Sequence, residues 1–152
     1  IQEGMISKII SAASSEAVKR GHTSQKLSVH WRHYISGTGF YTLYGTGATS
    51  TFPYAYGGIA VPYNGYFSRF MMASMPYSTR QNPSGYLAQL QVYVNGVLKS
   101  TKFEPYSTNV RESVIFNFGQ EVPINIGETV TLRFQANGQW WYCASTSIIT
   151  ER

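Results

Sequence analysis

The pattern of hydrophobic and polar positions along this chain changes period once, near residue 25. In residues 4–21, GMISKIISAASSEAVKRG, the side chains Ile6, Ile9, Ile10, Ala13 and Ala17 recur at helical spacing, and Lys19-Arg20-Gly21 supplies a cationic last turn and a glycine stop. This predicts one short amphipathic α-helix in an N-terminal segment, 1–24, that includes a linker. A lone helix of this length is marginal in water, so its apolar stripe needs a surface to dock on. Its own domain offers one surface. As an attachment or trimerising stem it would dock instead on neighbouring copies or on a larger body.

From Leu27 the period is two. LSVHWRHYIS puts Leu27, Val29, Trp31, His33 and Ile35 on one face and Ser28, His30, Arg32, Tyr34 and Ser36 on the other, as in a half-buried strand. Further strands are predicted at 40–44, 59–63, 66–73, 86–94 and 97–103, with a long aromatic, glycine-punctuated loop after Tyr44 and a polar loop, SMPYSTRQNPSG, before Tyr86. VRESVIFNF sets Val110, Glu112, Val114, Phe116 and Phe118 against Arg111, Ser113, Ile115 and Asn117. TVTLRFQA is expected to bury Val130, Leu132, Phe134 and Ala136 and to expose Thr129, Thr131, Arg133 and Gln135. A last strand follows in QWWYCASTSIIT. Asn-Gly pairs at 64–65, 95–96 and 137–138 predict hairpins, because both residues tolerate the positive φ of a type I′ turn. The expected fold is all-β, an antiparallel β-sandwich of jelly-roll type over residues 25–152, preceded by the short N-terminal α-helix.

Composition agrees with this and narrows the function classes. A chain of 152 residues fits one domain and removes roughly two-thirds of its unfolded surface from water. Its 15% aromatic and 12% charged residues favour strands over a helical bundle. The net charge is +5, but the basic residues are scattered singly, which implies a weak preference for polyanions and no nucleic-acid groove. All seven acidic residues are glutamates, and this removes aspartate-rich calcium loops, the aspartic-protease dyad and the Ser-His-Asp triad. Cys143 is the single cysteine, so no intrachain disulfide forms, and it is read as a small buried hydrophobe. No apolar run approaches the ~18 residues of a membrane span, and no membrane insertion is expected. The chain starts at Ile1 without a methionine and is expected to be a fragment or a processed product.

Candidate chemistry is sparse. His30 and His33 are three apart on a strand and face opposite ways, His22 sits in the linker, and no metal or other cofactor is expected. Glu112 and Glu128 are the one carboxylate pair to weigh for hydrolysis, against the ordinary role of edge charges; no catalytic residue is expected. The tyrosines are more telling. Tyr41, Tyr44, Tyr54, Tyr56, Tyr63 and Tyr66 crowd one loop-rich region, where their rings would fill a subunit interface or stack on a ligand. Tyr77, Arg80, Gln81 and Asn82, in the polar loop, are the candidates for an exposed receptor-binding tip.

VPYNGYFSRFMMAS resembles the opening of the trimeric jelly-roll modules of bacteriophage virions, which are similar to the tumour-necrosis-factor and C1q fold. LQVYVNGV and INIGETVTLRFQ resemble the later strands of such modules, and VHWRHYIS is similar to a strand of tail-fibre and head-surface proteins of T4-like cyanophages. The chain departs from the pattern with asparagine at 64 and glutamate at 128. The resemblance covers about residues 27–150 and implies a homotrimer without enzymatic activity on the virion exterior, held to other virion proteins such as a fibre shaft or capsid. A tail-fibre module for host attachment, with a host surface glycan as partner, is the first expectation; a capsid decoration or cement protein is the alternative. IQEG at the start also resembles the site cut by the prohead protease of T4-like phages, although cutting there would leave Gly4 first. A carbohydrate-active enzyme, the second alternative, is disfavoured by the missing aspartates.

Overall fold

The computed structural model describes residues 24–35, 39–45, 47–55, 57–76, 86–105, 114–136 and 141–152. The predicted helix with Ile6, Ile9, Ile10, Ala13 and Ala17, the loop residues Tyr77, Arg80, Gln81 and Asn82, and His22, Tyr56, Glu112 and the Asn137-Gly138 turn lie outside them, as do the side chains of His33 and Cys143.

The described chain is all-β. It runs β1 (Lys26–Ile35), β2 (Phe40–Tyr44), β3 (Gly47–Thr49), β4 (Ile59–Ala60), β5 (Gly65–Pro76), β6 (Tyr86–Val94), β7 (Val97–Pro105), β8 (Val114–Asn117), β9 (Pro123–Ile124), β10 (Thr129–Gln135) and β11 (Trp141–Glu151). All pairings are antiparallel. One sheet has the order β1-β11-β5-β8, with β9 also on β5; the other has the order β3-β2-β10-β6-β7, with β4 on β10. The chain therefore changes sheet after β1, β4, β5, β7, β9 and β10.

Alternation explains why two sheets suffice. Each strand offers one apolar face, and the two faces meet in a single cluster: Trp31, Phe67, Phe70, Met72, Val114, Phe116 and Ile149 from the first sheet, Leu43, Leu90, Val92, Val130, Leu132 and Phe134 from the second. Each fully buried side chain of this size contributes about 1.5–3 kcal/mol relative to exposure. The buried Trp31 indole donates to Ser147 Oγ at 2.9 Å, so its one polar group is satisfied inside the core. At one margin Arg32 N donates to Gly45 O at 3.2 Å and ties the sheets together. At the other, Lys102 reaches Glu121 at 2.8 Å.

That ion pair gives a small, signed pH dependence. The hydrogen bond from Lys102 holds the Glu121 carboxyl below its usual value, with the lysine charge and a Ser100 hydrogen bond acting the same way. A carboxyl depressed in the folded state stabilises above its unfolded pKa and loses that contribution as pH falls through the folded value. The wild type should therefore lose slightly more stability than Glu121→Gln when urea midpoints are compared between neutral pH and about pH 3.5. The group is exposed, so the difference should be small and should shrink in high salt. A larger acid loss in the variant would contradict this reading.

The structure corrects four expectations. The strand expected at 59–63 shortens to Ile59–Ala60 and pairs with β10, so Asn64-Gly65 is no hairpin. Instead Asn64 Oδ1 accepts from Ile126 N at 2.8 Å, and Gly65 opens β5 between β9 and β11. By contrast Asn95-Gly96 has the predicted geometry, with φ of 48° and 78°, and joins β6 to β7. The loop after Tyr44 contains β3, which pairs back on β2, and β9 is a second short strand that the pattern did not show. Strand β5 runs on to Pro76, into the segment read as polar loop. Finally, the outer face of β10 is covered: Thr131 is buried and Thr129, Arg133 and Gln135 are half-buried.

Candidate interaction surfaces

Register defines the outer face of the first sheet. His30 lies opposite Thr146, Thr146 opposite Met71, and Met71 opposite Ile115, which makes one cross-strand row over β1, β11, β5 and β8. His30 is exposed and shares a 2.9 Å hydrogen bond with Thr146 Oγ1; no group of three or more metal-ligating side chains occurs among the described residues. Ile115 is 50% exposed. A groove of about 620 Å³ is lined by this row together with Arg32 and Ala144. Strands β1, β5 and β8 contain no acidic residue and β11 carries one, Glu151 at its end; Arg32 borders the groove, while Lys26 and Arg69 line a second hollow on the same sheet, so the centre of the row itself is uncharged.

The outer face of the second sheet is organised differently. Its rungs read Phe40, Gln135, Gln89, Phe103, then Thr42, Arg133, Gln91, Thr101. The sequences of β2, β10 and β6 contain one charged residue, Arg133, and it stands in the middle strand. Residues 51–55 and 57–58 lie over this face. Thr42 Oγ1 donates to Thr51 O at 2.9 Å, and Thr131 Oγ1 donates to Gly57 O at 3.3 Å. This brings the Phe52 ring to 4.5 Å from the Arg133 guanidinium carbon, with Phe40 at 5.5 Å. Phe52 also meets the Tyr93 ring at 4.7 Å, and Tyr93 OH donates to Gln91 Oε1 at 3.0 Å. Beside them Gln89, Gln135 and Tyr86 hydrogen-bond to one another.

Of the six tyrosines read as one cluster, Tyr56 lies outside the described residues, and the other five do not all come together. Tyr44 and Tyr54 do, with ring centroids 5.4 Å apart beside the covered face of the second sheet. Tyr41 lies on the opposite face of β2 and packs on the core. Tyr63 and Tyr66 belong to the far side of the molecule. Tyr63 OH donates to Ile149 O at 2.6 Å, burial pushes its phenol up, a Leu27 backbone group opposes this, and Glu151 adds to it. The Tyr66 ring lies under Arg152 at 5.8 Å. Glu128 accepts from Asn125 N at 2.6 Å and closes a turn; Glu112, its expected partner, lies outside the described residues.

Sequence reading missed Arg133. It was placed on an exposed face, where a lone arginine is unremarkable. The available signal was that three predicted strands share one charge, but only pairing reveals that those strands are neighbours.

No protein-family model matches the chain, and no curated protein does. Among solved structures, a chain described as Desmodium yellow mottle tymovirus is similar over 86% of this chain and 90% of its own, at 6% identity and a TM-score of 0.29. No functional statement follows from so low a TM-score.

Proposed function

We propose that this chain is a virion structural protein of a bacteriophage, a jelly-roll module that forms a homotrimer on the particle exterior and serves host attachment in a tail fibre or similar appendage. The observation that carries the reading is the strand order. Two antiparallel sheets of order β1-β11-β5-β8 and β3-β2-β10-β6-β7, with the chain passing repeatedly from one to the other, support a sandwich of jelly-roll type. The uncharged centre of the first sheet, with Met71 and half-exposed Ile115, is the surface we assign to subunit contact, since monomers rarely leave such patches uncovered. Segment 1–24 would attach the module to a fibre shaft or to the neighbouring stems.

Light scattering on the purified chain should give three times the 17.0 kDa of one chain, and Met71→Glu should shift it toward one. A wild type that stays monomeric at micromolar concentration ends the trimer reading. Deleting the chain from its particle separates the roles: lost adsorption supports attachment, whereas normal adsorption with heat-sensitive heads promotes the decoration reading.

A further inference from the structure

Arg133 is placed as few surface arginines are. Its Nε is buried and has no hydrogen-bond partner among the described residues. Its guanidinium stands over the rings of Phe40 and Phe52, and no ion pair to it is found among the described residues. A buried donor without an acceptor is costly and rare in native proteins, so an acceptor supplied from outside the chain is the explanation to test. The rings hold the guanidinium at the middle of the sheet, on three strands, β2, β10 and β6, that carry no other charge. Around it are the Tyr93 hydroxyl, the Gln91 amide and a Phe52 ring that is 36% exposed.

We propose that Arg133, Phe52, Tyr93 and Gln91 form a binding site for a carboxylated sugar, such as a uronic or sialic acid residue of a surface glycan. The guanidinium takes the carboxylate through charge-assisted hydrogen bonds, which strengthen beside apolar rings that exclude water. The exposed part of Phe52 offers an apolar surface to pyranose C–H groups, and the amide and hydroxyl reach ring hydroxyls. One cation suits one anion per sugar. An acidic peptide would bring further carboxylates to strands β2, β10 and β6, which offer no second cation. The site deepens the attachment reading by naming a ligand class, and it rests on that reading only for the source of the glycan.

The test is direct titration of the purified chain, followed by NMR, with glucuronate and sialyllactose against neutral lactose. The acidic sugars should shift the Arg133 Nε–Hε resonance of the wild type. They should bind about tenfold or more tightly than lactose, a preference that Arg133→Gln removes. Phe52→Ala should weaken all sugars while leaving the urea midpoint close to that of the wild type. Equal binding of acidic and neutral sugars, an unmoved Arg133 resonance, or no binding of any acidic sugar overturns the proposal. Acetate binding as tightly as glucuronate overturns the sugar assignment and points to a carboxylate from a protein partner. These measurements use no particle, so their failure leaves the adsorption experiment to judge the attachment reading.

Discussion

Replacing Phe67 with alanine is expected to cost about 3–5 kcal/mol of folding stability, the usual range for emptying a fully buried aromatic site. Phe67 is wholly buried on β5, the strand that joins β11 to β8 and β9, and its ring meets Phe118 edge-on at 5.2 Å and 71°. Two terms add. The lost transfer of the ring is one, and the cavity that the surrounding strands cannot close is the other, since a ladder bonded on both sides moves little. Domains of this kind have about 5–15 kcal/mol in all, so the variant should unfold at a much lower urea concentration with an unchanged slope. Both proteins must be compared at one chain concentration, because assembly would stabilise the folded state by mass action. A loss below about 1.5 kcal/mol would mean that Phe67 is not a core residue.

Gly65→Ala should be nearly as damaging, for a reason that has nothing to do with burial of apolar area. A Cβ at this position would stand 2.5 Å from Thr150 O, with Tyr63 Cε2 at 3.2 Å. The obstructing atom is a backbone carbonyl in β11, fixed by pairing along its whole length, so it cannot swing aside as a flexible side chain would. Overpacking of this kind costs about 1–3 kcal/mol and at times more. Gly45→Ala is the control, since nothing lies within 4 Å of the added carbon and its φ is ordinary. That variant should stay within about 0.5 kcal/mol of the wild type. Equal stability of the two variants would refute the close approach at Gly65.

Several features were fixed by local pattern alone. Alternation identified β1, β8 and β10 and sorted their residues between two faces, because a side-chain period of two commits every second residue to one face; β2, β6 and β7 were located as strands without a core side. Asn95-Gly96 was legible because its turn depends on the two residues in it. Asn64-Gly65 has the same letters and a different task, set by a carbonyl 85 residues further along the chain, and no local rule could supply that. The same limit applies to Phe67 and Phe70. Strict alternation puts residues three apart on opposite faces, yet both are buried. A register shift in the pairing with β11, at Ile148/Ile149, leaves Ser68 as an extra residue and reverses the parity of the strand. Ser68 Oγ bonds to Ile148 O and Thr150 Oγ1 across that bulge. Covering of the β10 outer face, separation of the tyrosines and the setting of Arg133 were likewise decided by which strands became neighbours. Periodicity records which face of a strand is apolar; it holds no record of what is brought to the other face, because that depends on contacts between residues far apart in sequence.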